Sequence, residues 1–219
     1  MNLYKDTHLF GLVMNMVQDL EMNKLSSNDV KELKLLRNEC LDKKLIKKNL
    51  FIIMTGVIQT ECGNGNITDF IREGEVLFVQ PIRNDTQQEW LPEYKAITSC
   101  KIIQVSKEFF LNFSSIKPSY MELILQMTAN KLMYVMNDSR KYDLSVEERF
   151  DFSLAELGHC LGEQVEDNSF VLPRYINKNK IASFSKTSRK YTAQRLQLLE
   201  KRGDINAVGN NILISSIGF

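Results

Sequence analysis

The sequence predicts an α+β chain with three parts: an N-terminal antiparallel β-roll of jelly-roll type, one long helix suited to dimerisation, and a C-terminal winged helix-turn-helix. Three observations carry that prediction. From about Lys34 to Val105, short apolar runs alternate with glycine-bearing turns, the texture of closely spaced antiparallel strands. From Met121 to Ser139, apolar residues return every three or four positions, the spacing of a helix with a seam. From Asn177 to Ile205, two short helical patterns flank a tight turn, and a hairpin pattern follows. The expected boundaries are residues 1–116 for the roll with its N-terminal helices, 117–143 for the long helix and a hinge, and 144–219 for the winged helix.

Composition narrows the chemistry. A chain of 219 residues suits one large domain or two small ones, and a net charge of +1 points to no partner for the chain as a whole. The two histidines, His8 and His159, fall in different expected domains, so a cupin-type metal centre lacks its ligands. Cys40, Cys62, Cys100 and Cys160 stand far apart with no CxxC spacing, which fits reduced thiols better than a disulfide framework, a zinc site or an iron–sulfur cluster. No metal and no cofactor are expected. The early Leu9–Val17 stretch is interrupted by Asn15 and lacks a cleavage-type run, and no segment approaches the ~20 apolar residues of a membrane span. A cytoplasmic protein without membrane contact is expected.

Taken in order, Leu9, Val13, Met16, Val17 and Leu20 recur at helical spacing, and Ser26 to Leu33 reads as a second helix with Ser26 and Asp29 as a capping-box variant. The strands expected next are Leu45-Ile46, Phe51–Met54, Val57–Cys62, Ile67–Ile71, Val76–Val79 and Ala96–Val105. Gly56, the Gly63-Asn64-Gly65-Asn66 turn and Gly74 punctuate them. Trp90 and Tyr94 read either as loop aromatics closing the roll or as the lining of an effector pocket.

Pro118 opens the long helix. Met121, Leu125, Thr128, Leu132, Val135 and Ser139 form the seam, while Ile124, Met127, Tyr134 and Met136 flank it, so one side is expected to meet the roll and the other a second copy. The polar segment Asp138–Leu144 reads as the hinge. Ser145 to Glu148 is an S-x-x-E capping box opening a further helix with Phe150, Leu154, Leu157 and Leu161 inward. His159 and Cys160 are adjacent, and neighbours on a helix point about 100° apart, which favours a packed cysteine beside a surface histidine over a ligand pair.

Charge then separates sharply. Ser145–Val171 holds one basic residue against seven acidic, and Leu172–Ile205 holds nine Lys or Arg against two Asp or Glu. In the basic stretch Asn177 can cap the first helix, and Thr187 or Ser188 the second, by accepting from unpaired first-turn amides. With Thr192, Leu196 and Leu199 inward, Lys190, Gln194, Gln197 and Lys201 lie outward, a cationic and amide-rich face suited to a groove between phosphates. Ile205–Val208, a Gly-Asn-Asn turn and Ile212–Ser215 read as a hairpin behind it.

The run from Leu172-Pro173 through Lys180-Ile181-Ala182, Ser188-Arg189, Leu196, Leu199 and Gly203-Asp204-Ile205 resembles the C-terminal winged helix of the Crp/Fnr family of bacterial transcription regulators. Phe51 to Val57, Gly74-Glu75 and Ala96 to Val105 resemble that family's cyclic-nucleotide-binding β-roll. The resemblance implies double-stranded DNA with a near-palindromic operator as partner, a homodimer, RNA polymerase as a further partner, and no enzymatic activity. It implies base reading at the positions of Ser188, Arg189, Lys190 and Gln194, with Tyr191 as a further DNA-binding residue, while Lys178, Lys186 and Lys201 read either as phosphate contacts or as solvated charges. Lys190 stands where the family usually has Glu, Gln194 where it often has Arg, and Lys186 at the turn glycine. Phe78 and Val79 replace the Gly-Glu of a cyclic-AMP binder, and Trp90 and Leu91 its Arg-Ser. A buried phosphate there would lack compensation, so cyclic AMP is not the expected effector; either the ligand-free protein already binds its operator, which is the favoured expectation, or these four residues line a pocket for an unlike ligand. Three alternatives remain beside this reading: the same fold switched by a non-nucleotide small molecule or peptide, a protein-interaction module without operator binding, and, least favoured because no nucleophile, base and orienting group fall together, an enzyme.

Overall fold

The computed structural model describes residues 7–63, 65–77, 92–166, 169–208 and 211–215. The chain forms two compact units, one comprising 1–64 and 68–134, the other 65–67 and 135–219.

In the first unit, helix α1 (Thr7–Met22) precedes strand β1 (Val30–Leu35), short helix α2 (Lys43–Ile46), and strands β2 (Asn49–Thr55), β3 (Ile58–Cys62), β4 (Asn66–Ile71), β5 (Val76–Leu77), β6 (Glu93–Ala96) and β7 (Cys100–Ser106). Helices α3 (Lys107–Ile116) and α4 (Ser119–Ser139) follow, with Asn66 and Ile67 of β4 and Val135–Ser139 of α4 belonging to the second unit. One antiparallel sheet has the order β1-β7-β2-β5, and a second β4-β3-β6. The period-2 alternation of strand side chains builds two cores from the same strands. Phe51, Ile53, Cys100 and Ile102 point into the roll and meet Ile58, Ile71, Tyr94 and Ala96. Leu50, Ile52, Ile103 and Val105 point the other way and are covered by Val13, Met16 and Leu20 of α1, Phe109 and Phe110 of α3, and Tyr120 and Leu123 of α4. Burial on both faces is why β2 reads as an unbroken apolar run.

Several sequence expectations need correction here. The second helix expected over Ser26–Leu33 is absent: Ser26–Asp29 is a loop in which the Asp29 carboxylate accepts from the amides of Leu25 (2.9 Å) and Ser26 (2.7 Å). Val30 onward is β1, in register with β7 through Val30 opposite Val105. Leu45-Ile46 is not a strand but the end of α2, whose cap is the Asp42 side chain accepting from Lys44 N at 2.8 Å. The single strand expected over Ala96–Val105 is two, β6 and β7, in different sheets. Helix α3, capped by Ser106, has no counterpart in the sequence reading. The part of the Val76–Val79 strand beyond Leu77 lies outside the described residues.

In the second unit a 3₁₀ turn (Arg140–Asp143) leads to α5 (Val146–Leu161), β8 (Glu163–Glu166), β9 (Ser169–Leu172), α6 (Lys178–Phe184), α7 (Arg189–Arg202), β10 (Ile205–Val208) and β11 (Asn211–Ile214). Ser145 and Glu148 form the expected capping box. Phe150, Leu154 and Leu157 are buried, whereas Leu161 is half-buried and Cys160 takes the inward position. The hairpin β10–β11 belongs to a four-stranded sheet, β10-β11-β9-β8, whose β8 and β9 the sequence reading missed. Gly158 lets α5 lie close on this sheet: a Cβ there would sit 3.2 Å from Ile214 Cδ1 and 3.4 Å from Phe170 Cβ. The His159 ring meets Phe170 edge-on at 4.5 Å, beside buried Cys160.

Candidate nucleic-acid interface

The geometry of α7 is set at its two ends and along its back. Asn177 caps α6, its side-chain oxygen accepting from Lys180 N at 3.0 Å. The turn after α6 is closed by hydroxyls: buried Ser185 donates its O–H to the Ile181 carbonyl at 2.8 Å, and Oγ of Ser185, Oγ1 of half-buried Thr187 and Oγ1 of buried Thr192 form a chain with 2.8 and 2.9 Å links. Lys186 takes φ +54°, the left-handed conformation for which the resembling family uses glycine. Ser188, not Thr187, caps α7, its Oγ accepting from Tyr191 N at 3.1 Å. At the far end Gly203 takes φ +82°, and its amide bonds to Glu200 O, stopping the helix before β10.

Along its back, α7 buries Thr192, Leu196 and Leu199 as expected, and also Arg195. The Arg195 side chain is 5 % exposed. Its Nε donates to Asp151 Oδ1 at 3.0 Å, its Nη2 to Asp151 Oδ2, and its Nη1 to Glu147 Oε1 at 2.5 Å. The hydrogen bonds to Asp151, ahead of any other influence, raise its pKa above the ordinary value. Tyr191 is half-buried, its ring edge against Phe150 at a centroid distance of 6.1 Å, and burial pushes its hydroxyl pKa up. It is therefore packed on α5 rather than turned fully outward with its neighbours.

On the outer side Ser188, Arg189, Lys190, Gln194, Gln197, Lys201 and Arg202 are exposed, and Lys178 is exposed at the start of α6. The structure thus brings the N-terminal cations and amides of α7 to one solvent-facing side. Lys186 is separated from them: it is half-buried, and its Nζ donates to the Ile67 carbonyl at 2.7 Å within the same unit. Hydrogen-bond donors and cations at a capped helix N-terminus, without an acidic side chain in its first turn, present positive potential outward.

Along α4, Met121, Leu125, Thr128, Leu132 and Val135 are all exposed, Leu125 to 68 % and Leu132 to 59 %. The opposite side buries Tyr120 and Leu123 and packs Ile124 and Met127 against the roll. Phe78, Val79, Trp90 and Leu91 lie outside the described residues. No helix among the described residues is long and apolar enough to cross a membrane, and among them no group of three or more His, Cys, Asp or Glu is placed to hold a metal ion.

The sequence reading missed Arg195, although a signal was available. Arg195 falls between the inward Thr192 and Leu196, and Glu147 and Asp151, one turn apart on α5, offer the matching carboxylates. Lys141 likewise reads from sequence as part of a polar hinge, yet it is 1 % exposed.

No family model matches the chain, and no curated protein does. Solved structures do. A cyclic nucleotide-binding domain containing protein from Listeria monocytogenes EGD-e superposes with a TM-score of 0.79 at 20 % identity, over 92 % of this chain and 97 % of that one. The chain has the Crp/Fnr fold. FixK2 from Bradyrhizobium japonicum matches with a TM-score of 0.68 at 15 % identity, over 86 % of this chain and 93 % of that one. A transcriptional regulator of the CRP/FNR family from Thermus thermophilus, TTHA1359, matches with a TM-score of 0.62 at 13 % identity, over 85 % of this chain and 94 % of that one.

Proposed function

We propose that this chain is a homodimeric, sequence-specific DNA-binding transcription regulator of Crp/Fnr type, not an enzyme, and that it does not use cyclic AMP. The observation that carries the reading is α7 itself. Its back is fixed by Thr192, Arg195, Leu196 and Leu199, and its capped N-terminal turn turns Ser188, Arg189 and Lys190 to solvent, with Gln194 one turn on. Exposed cations and amides on a rigid helix are what a major groove accepts, guanidinium for guanine and carboxamide for adenine. The β10–β11 hairpin takes the place of the wing, and Lys178 and Lys201 the place of phosphate contacts. The exposed seam of α4 supports a second copy as partner, which would set two α7 helices about 34 Å apart and make the operator a near-palindrome. RNA polymerase is the further partner that a regulator of this type would meet.

Selection of binding sites from random duplex DNA by the purified protein tests the reading. A recovered near-palindromic consensus, bound without added nucleotide, is the expected result; recovery of unrelated sequences only would favour the interaction-module alternative. Titration calorimetry with cyclic AMP in the same preparation should give no saturable heat at micromolar ligand.

A further inference from the structure

Arg195 is a cation in the middle of a helix whose other cations are exposed, and it faces away from the side that would meet DNA. Its planar fork holds both oxygens of Asp151 and one of Glu147, two residues one turn apart on α5. Such a fork constrains direction as well as distance, because both parallel N–H bonds to Asp151 fail together when the helix turns. The packed leucines hold α7 in place as well, but their contacts carry no directional bond that fails as a unit on a small roll. At a side-chain radius of about 5–6 Å, a 20° roll of a helix moves such a head group by roughly 2 Å, enough to break both bonds. The same roll would swing Arg189, Lys190 and Gln194 across about the same distance.

We propose that Arg195, through Asp151, is a positioning residue that sets the rotation of α7 about its own axis and so fixes which side chains face the base edges. It touches no DNA; it determines specificity by holding those that do. This rests on the DNA-reading function proposed above. The Glu147 side chain is mostly exposed, at 57 %, so the directional element is the pair with Asp151, whose side chain is only 17 % exposed.

The test is the paired replacement Arg195→Leu with Asp151→Leu in the full chain. Replacing both members of a buried ion pair by apolar residues commonly preserves stability, which separates rotation from folding. Affinity for random-sequence duplex should stay within about twofold, because phosphate contacts tolerate a roll, while affinity for the selected site should fall roughly tenfold or more. A second readout needs no DNA. With Ala193→Cys or Gln194→Cys introduced singly and labelling by a thiol reagent read peptide by peptide, the exposed position 194 should react much faster than the half-buried 193. That contrast should shrink in the paired-leucine background. Unchanged specificity together with an unchanged labelling contrast overturns the proposal. Should the wild-type chain select no site at all, the DNA-reading function fails, and the labelling contrast alone still decides whether the fork sets the rotation. If the paired-leucine chain does not fold, Arg195→Lys, which keeps the charge without the fork, takes its place with the same readouts and a smaller expected loss.

Discussion

The ammonium of Lys141 lies 4.4 Å from the centroid of the Phe184 ring and is paired with the Asp138 carboxylate. One buried cation thus joins the last turn of α4 to the end of α6, across the segment that its polarity alone marks as a solvated hinge. Removing one partner of such a pair leaves the other charge uncompensated. Lys141→Met, close in shape but uncharged, should lower stability by on the order of 3 kcal/mol in urea unfolding. A loss below about 0.5 kcal/mol, the level of an ordinary surface substitution, would mean that water reaches Asp138 freely.

Lys186 provides a backbone test. An L-residue in the left-handed region is strained by roughly 1–2 kcal/mol, and β-branched side chains fit there worst. Lys186→Gly should therefore leave the thermal midpoint unchanged or raise it, despite the loss of the bond to the Ile67 carbonyl. Lys186→Val should lower stability by on the order of 1–2 kcal/mol. Equal effects of the two substitutions would show that the side chain, not the turn conformation, decides.

A pH dependence follows from Asp19. The Lys117 ammonium first, and the Tyr120 hydroxyl second, hold its carboxyl below the ordinary 3.8. A depressed folded-state pKa contributes stability that is present above the ordinary value and is lost as pH falls through the lowered one. Asp19→Asn should thus melt below the wild type at pH 7, and the gap should close as the pH drops under 3.8. Parallel melting curves at every pH would take the Lys117–Asp19–Tyr120 cluster out of the stability of the first unit.

Periodicity carried the long elements because it reports burial directly. The α1 and α4 patterns and the β2 run give the right element at the right place, and the caps Asn177 and Ser188 mark α6 and α7 because an N-cap is a local bond between a side chain and amides of the same turn. The helix expected over Ser26–Leu33 failed because Val30 and Leu33 alone have helical spacing while Leu33 and Leu35 have that of a strand, and only pairing with β7 decides. Lys43–Ile46 failed because the Asp42 cap, a one-turn signal, was outweighed by two apolar residues. Arg195 and Lys141 were missed because a cation is assigned to solvent until its carboxylate is identified: for Arg195 the signal lay forty-four positions away at Asp151, and for Lys141 the carboxylate of Asp138, three positions away, is equally at home on a solvated face.

The α4 seam can be tested by charge. Leu125 and Leu132 are the most exposed of its leucines and valines, and a carboxylate placed in an apolar interface must lose its charge or part the helices. Leu125→Asp combined with Leu132→Asp should sediment as monomer, and its affinity for the near-palindromic site should fall while the chain keeps its folded circular-dichroism spectrum, since neither side chain packs on the roll. A dimer of unchanged affinity would move the contact to another surface.

Base reading gives the last expectation. Arg189 is exposed at the first position of α7, where its guanidinium can take O6 and N7 of one guanine together, so Arg189→Ala should cost on the order of 1–3 kcal/mol on the selected site and relax the preference at one position per half-site. Gln194, exposed five residues on, presents a carboxamide whose oxygen and nitrogen match N6 and N7 of adenine. Gln194→Arg should then shift the preferred base at a second position from adenine to guanine, leaving the position read by Arg189 as it was. Lys201→Ala should do neither: it should reduce the salt dependence of binding by about one counterion and keep the consensus. Repeating the selection with each variant separates these outcomes, and a uniform loss on specific and random duplex from Arg189→Ala would place Arg189 on the phosphates instead of the bases.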